Sequence, residues 1–234
     1  MVKNLMSGSK RLRDFFGCLN YKRKFRQAHP EFFDPCGTLI FTGAQGEGKT
    51  LSAVQYIIKI AHEYPQSILV TNTWIDPKLF PEGYRVYEYT GLDDLKNYEN
   101  GYAGVVFFID EIHIELNSLE SKNVDVDIMV EISQQRKQRK HIVGTTQVYG
   151  RMAKPLREQI KDVVLCHCFF GFFQFNKYID AFQSQEQNGK LKAYVKRRSF
   201  WFHTAKLYAS YDTYAKMKRY KQEWQGRPRM EVLT

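Results

Sequence analysis

The chain predicts an α/β domain: a mostly parallel central sheet flanked by helices, with basic appendages at both ends. Three observations predict it. Short apolar runs alternate with segments of helical periodicity between residues 37 and 170. One run, residues 104–109 (GVVFFI), is apolar throughout, as a strand covered on both faces requires. A glycine-rich turn, residues 43–50, joins an apolar run to a helix-forming one.

Residues 37–42, ending Ile40-Phe41-Thr42, read as the first strand and feed that turn. A helix is expected from about residue 48 to residue 62, on Leu51-Ser52-Ala53-Val54-Gln55-Tyr56-Ile57-Ile58, and stops near Pro65. Residues 67–72 are a second buried strand, 85–89 a short strand and 92–98 a short helix. Val124, Ile128 and Ile132 recur every four residues, giving a helix that ends in Arg136-Lys137-Gln138-Arg139-Lys140. Residues 141–146 are the next strand and 162–170 the last of the core. The polar stretch 183–192, with Asn188-Gly189, reads as a turn joining 172–182 to 192–195. The expected organisation is a basic arm (1–30), a core (31–186) and a basic, aromatic extension (187–234).

Gly43-Ala44-Gln45-Gly46-Glu47-Gly48-Lys49-Thr50 matches the phosphate-loop pattern G-x-x-x-x-G-K-[ST] at every fixed position. Its glycines let successive N–H groups turn inward on phosphate oxygens without a Cβ in the way. The helix that continues through Leu51 adds its positive N-terminal end. Lys49 is suited to neutralise β- and γ-phosphates, and Thr50 to offer its hydroxyl to Mg²⁺. The pattern calls for a nucleoside triphosphate, ATP with Mg²⁺.

Asp110-Glu111 ends the most hydrophobic strand with two acids, and ligands of parallel α/β sheets sit beyond such strand ends. Asp110 is placed to hold the metal shell and Glu111 to orient the attacking water. Gln147, after Thr145-Thr146, would emerge beside that pair and sense or position the same water. Arg136, Arg139, Arg151 and Arg157 cluster around this strand in sequence. Arg157 and Arg136 are the leading candidates for a cation that stabilises transition-state charge, supplied by a neighbouring subunit.

These residues together resemble viral P-loop ATPases of the FtsK/HerA type. The motifs that carry the resemblance are the phosphate loop, Val70-Thr71-Asn72, Phe108-Ile109-Asp110-Glu111, Gln135-Arg136-Lys137, Gly144-Thr145-Thr146-Gln147 and Pro155-Leu156-Arg157. They span residues 37–170. Two relatives compete: the genome-packaging ATPase of membrane-containing icosahedral phages, and the zonula occludens toxin (Zot)-like assembly ATPase of filamentous phages. Zot-like proteins typically continue through a membrane span into an external domain, which favours the packaging relative here. The resemblance implies a RecA-like core, ATP hydrolysis coupled to DNA translocation, and a homo-oligomeric ring, usually a hexamer. It also implies work in the host cytoplasm and at the packaging vertex of the virion, beside capsid or membrane-vertex proteins, with membrane association as a further expectation. The other classes kept open are a non-motor kinase and a nucleotide-dependent switch. No acceptor-site signature supports a kinase.

The formal net charge of +10 is unevenly spread: +7 in residues 1–30, +9 in 187–234 and −6 between them. Basic ends around an acidic core suggest a polyanionic partner, DNA of either strandedness or an anionic membrane surface. The C-terminal segment interleaves Lys196-Arg197-Arg198 and Lys218-Arg219 with Phe200-Trp201-Phe202, Tyr208, Tyr211, Tyr214 and Trp224. It fits phosphate contact with base stacking or a packed amphipathic helix equally well. The N-terminal arm, with Phe15, Phe16 and Leu19 among basic residues, suits a helix lying on lipid, one docked on a neighbour, or disorder. No segment approaches eighteen uncharged apolar residues, so no membrane span is expected. The N-terminus has no apolar h-region of a signal peptide. The four cysteines form no disulfide pattern. Cys166 and Cys168 should share one strand face with His167 opposite, as buried strand cysteines rather than metal ligands.

Overall fold

A computed structural model describes residues 2–114, 126–149, 152, 157–187 and 190–211. Its strands are β1 (Gly37–Thr42), β2 (Ile68–Thr71), β3 (Arg85–Glu88), β4 (Val105–Ile109), β5 (Lys140–Thr146), β6 (Ile160–Phe169), β7 (Phe173–Gln187) and β8 (Lys190–Phe202). They form one sheet in the order β3-β2-β4-β5-β1-β6-β7-β8. The first six positions are parallel. The β6–β7 and β7–β8 pairs are antiparallel, so the sheet is mixed at one edge. The helices are α1 (Val2–Ala28), α2 (Lys49–Glu63), α3 (Asp94–Asn97), α4 (Val126–Gln138) and α5 (Ala205–Tyr208).

Strand periodicity divides the core in two. Leu39, Phe41, Leu69, Val106, Phe108, Val143, Val164 and Cys166 face α2 through Val54 and Ile57. Ile40, Val70, Phe107, Ile109, Ile142 and Val163 face the other way and pack on Leu95, Ile128 and Ile132 of α3 and α4. Every residue of β2, β4 and β5 is buried; β4 reads as an unbroken apolar run for that reason, whereas β5 buries polar groups at both of its ends. Lys140 is the buried cation of β5. Its buried ammonium donates to Leu95 O at 2.7 Å and to Glu131 Oε2 at 3.0 Å, tying the start of β5 to α3 and α4.

The C-terminal hairpin is longer than its turn signal suggests. β7 and β8 pair from Phe173↔Phe202 to Gln187↔Lys190, so the expected core boundary at residue 186 falls inside a hairpin of the main sheet. Phe200-Trp201-Phe202 belong to a strand. Gln174, Asn176 and Ile179 are buried on β7, and these contacts bind the hairpin to the core. Cys166 is fully buried and Cys168 partly so, with His167 exposed opposite them. Burial pushes the Cys166 thiol up to about 12.

The N-terminal arm is helical over α1, with Phe15, Phe16, Leu19 and Tyr21 exposed. Phe25 packs edge-on against Phe32, and Arg26 pairs with Asp34 where the helix meets the core. No helix among the described residues is long and apolar enough to cross a membrane. Val124, Arg151, Pro155 and Leu156, and residues 212–234 with Tyr214, Lys218-Arg219 and Trp224, lie outside the described residues.

Candidate active site

Residues 43–48 leave the C-terminal end of β1 and turn into α2 at Lys49. Two glycines are required there. Gly48 caps α2 in the left-handed region, at φ 69°, where an L side chain is strained. Gly43 approaches β6 so closely that a Cβ would stand 2.7 Å from Cys166 O. Lys49 is buried, and its Nζ donates to Ala44 O at 3.0 Å, so the ammonium lies against the loop it was expected to serve. Ala44, Gln45 and Gly46 are exposed at the loop crest, while the Leu51 side chain is buried in the core. The Glu47 carboxylate turns away from the crest. Its Oε2 accepts the Cys168 N–H at 2.6 Å, bracing the loop against β6.

Sheet register brings the two acids to the loop. Ile109 pairs with Gly144 and Thr42 with Thr146, so the ends of β4, β5 and β1 lie side by side. Thr50 Oγ1 donates to Asp110 Oδ1 at 3.0 Å, and Thr145 Oγ1 donates to the same oxygen at 2.7 Å. The Thr145 hydroxyl also accepts the Glu111 N–H at 2.8 Å. Asn72, past the end of β2, completes the frame: its Oδ1 accepts the Asp110 N–H at 2.8 Å, and its Nδ2 donates to Asp110 O at 3.1 Å. Asp110 is thus held through backbone and side chain. Burial pushes its carboxyl up, the Thr145 and Thr50 hydroxyls pull it back, Glu111 repels it and Lys49 attracts it.

Glu111 sits at φ 53°, left-handed and strained for a side chain with a Cβ. Its N–H bond to Thr145 helps hold that conformation. Gln147 Nε2 donates to Glu111 Oε1 at 3.2 Å. On the other oxygen, His113 Nδ1 lies 3.1 Å from Oε2, within ion-pair range but not aligned for a hydrogen bond. Thr50 Oγ1 and Asp110 Oδ1 are two hard oxygen donors converging from loop and strand. Such a pair suits Mg²⁺, which takes few protein ligands and fills its shell with phosphate and water. Among the described residues no cluster of three or more His, Cys, Asp or Glu offers a rival metal site.

The arginines are placed elsewhere. Arg136 is exposed in the last turn of α4, near the start of β5 and so at the opposite end of the sheet from the loop. Arg157 is half-buried, its charge acts on Tyr149, and its Nε has no hydrogen-bond partner among the described residues. Four residues of the site have no role predictable from the motifs alone: Asn72, Thr145, His113 and Gln174. Asn72 and Thr145 carried a signal, polar groups at the ends of buried strands. Gln174 had none; it donates through Nε2 to Glu47 O at 3.0 Å from a strand at the far side of β6.

No protein-family model matches the chain, and no curated protein sequence does. Among solved structures, the fold is similar to the N-terminal domain of zonular occludens toxin from Neisseria meningitidis. The two share 13% identity at a TM-score of 0.51, covering 76% of this chain and 100% of that one. The genome packaging NTPase B204 from Sulfolobus turreted icosahedral virus 2, in complex with AMPPCP, matches at 12% identity and a TM-score of 0.49, covering 69% of this chain and 98% of that one. Likeness at such identities is one of fold. The fold shared with the toxin domain is the mostly parallel α/β sheet, and the phosphate loop between β1 and α2 makes it that of a P-loop NTPase.

Proposed function

We propose that the chain is an ATPase that moves DNA during the assembly of a viral particle, loading a genome into a preformed capsid. The observation that carries hydrolysis is Asp110, bonded at one oxygen by Thr50 of the loop and Thr145 of β5, with Glu111 next to it facing Gln147. Lys49 and the loop amides would hold the phosphates, and Thr50 with Asp110 would hold Mg²⁺. Held there, the ion would offset negative charge on the phosphates. Glu111 would accept the proton of a water in line with the γ-phosphate, and Gln147, already on its carboxylate, would keep it aimed. Glu111 is unnecessary for a pure binding module, which speaks for turnover.

The DNA part of the proposal rests on the basic ends. α1 exposes Lys10, Arg13, Arg23 and Lys24, and β8 exposes Arg198. Two of the expected contacts are engaged within the chain: Lys196 is paired with Asp162 at 2.6 Å and Asp180 at 2.8 Å, and Arg197 lies 4.0 Å over the Tyr178 ring. A ring of copies would supply the missing cation in trans, with Arg157 and Arg136 as the candidates. Filament assembly by a Zot-like motor is the second reading, favoured by the fold likeness that spans the whole toxin domain. The test is phosphate release with and without DNA across ionic strength. Stimulation by DNA that falls steeply with salt supports a translocase. Turnover indifferent to DNA at every salt concentration overturns it for a switch or kinase. Co-purification with an icosahedral or a filament coat protein separates the two assembly readings.

A further inference from the structure

We propose that Tyr208, backed by His203, is the platform on which the base of a bound nucleoside triphosphate stacks. The proposal rests on the triphosphate reading of the loop and names where the rest of that ligand goes. Asp110 and Glu111 follow β4 and Gln147 follows β5, so the γ-phosphate end belongs on that side of β1. The nucleoside must then leave across the other side, over β6 and β7. Strands are about 4.8 Å apart, which puts β7 about 10 Å from β1, within reach of a base carried on a ribose and α-phosphate.

A pinned aromatic group stands there. Gln174 of β7 is fully buried and lies so close to Gly48 that a Cβ on that glycine would meet its Oε1 at 2.1 Å. Both amide protons of Gln174 are used, on Glu47 O at 3.0 Å and Asn176 Oδ1 at 2.8 Å. Its Oε1 can therefore only accept, and it faces His203 Nε2 at 3.0 Å, which assigns the imidazole proton to Nε2. His203 Nδ1 in turn lies 2.5 Å from the Tyr208 hydroxyl, whose single proton serves either that nitrogen or Gly171 O at 2.6 Å. The chain of contacts runs from the phosphate loop to the tyrosine without a gap. α5, which carries Tyr208, packs on α2. The polar end of Tyr208 is satisfied while the residue remains 51% exposed. A ring held by its hydroxyl with an open face is suited to stack on a flat base. Nothing in the contact reads base edges, so purine triphosphates should bind alike.

The test is calorimetric binding of ATP, GTP and inorganic tripolyphosphate, each with Mg²⁺, to the full chain and to Tyr208→Ala and Tyr208→Phe. The wild type should bind ATP and GTP about tenfold or more tighter than tripolyphosphate, the difference expected of one stacked base. Tyr208→Ala should remove that difference and leave tripolyphosphate binding unchanged, and Tyr208→Phe should recover most of it. ATP binding by Tyr208→Ala at wild-type strength overturns the platform, as does an equal loss for all three ligands, which would mean a deformed loop. A wild type that binds neither ATP nor tripolyphosphate removes the phosphate-loop reading itself.

Discussion

The phosphate loop is held from two sides by different chemistry. On the β4–β5 side the contacts are hydroxyls on a buried carboxylate: Thr50 and Thr145 on Asp110. On the β6–β7 side they are neutral amides, with Gln174 on Glu47 O and the Asn176 amide donating to Ser52 Oγ at 3.0 Å, plus the Glu47 carboxylate on Cys168 N–H. The first set centres on a carboxylate, the group on which the proposed cation would act. The second set faces away from the loop crest and braces the loop against β6 and β7. The outer faces differ in the same sense. β4 and β5 are buried throughout, whereas the β6–β7 turn and β8 expose Phe170 at 89% and Phe200 at 70%.

The contrast can be broken first at Glu111. Glu111→Gln should retain ATP binding while phosphate release falls on the order of 100- to 10,000-fold, the usual worth of a general base. Turnover near wild type would take Glu111 out of the mechanism. The parallel half can also be probed by acid through His141, buried on β5 with Nδ1 2.8 Å from Gly37 O and Nε2 3.0 Å from Tyr56 OH. Burial pushes its pKa down to about 4. The unfolded chain therefore takes up this proton near pH 6.5 and the folded one only near pH 4, so stability is lost as pH falls through that window. The loss is up to roughly 3 kcal/mol. Urea midpoints of the wild type and His141→Gln should converge as pH falls; parallel curves would contradict a neutral buried imidazole.

On the amide side, Asn176→Leu strips a partner from both Ser52 and Gln174. A loss of about 1–3 kcal/mol is expected, read by denaturant melts. An unchanged melt would mean that the brace carries no load. The smallest effect belongs to the exposed turn: Phe170→Ser should move stability by less than about 0.5 kcal/mol, and a larger loss would show that the ring is covered in solution.

Much of the parallel half was legible in the chain because its signals are local. The run through residue 109 is apolar since both of its faces are covered, and the loop glycines are spelled out in consecutive positions. Asn72 and Thr145 were half-legible. A polar group at a buried strand end is visible, but its partner is set by which strand lies alongside. The hairpin was least legible. Its turn signal at Asn188-Gly189 predicts two strands joined together, and nothing local says that they extend the main sheet, since that depends on Gln174 and Asn176 finding the loop and α2 more than 120 residues earlier. The basic run 196–198 shows the same limit. Its charge is plain in the chain, yet Lys196 is spent on Asp162 and Asp180, from two other strands.

By itself, the sequence determined the alternation of strands and helices, the phosphate loop and the acids at the end of a buried strand, because backbone conformation and burial periodicity are short-range properties. Only the tertiary structure decided that β5 separates β1 from β4, that Thr145 bridges Asp110 to Glu111, and that the antiparallel hairpin braces the loop from its other side. Those depend on strand order and register, which are settled by packing among residues far apart in the chain.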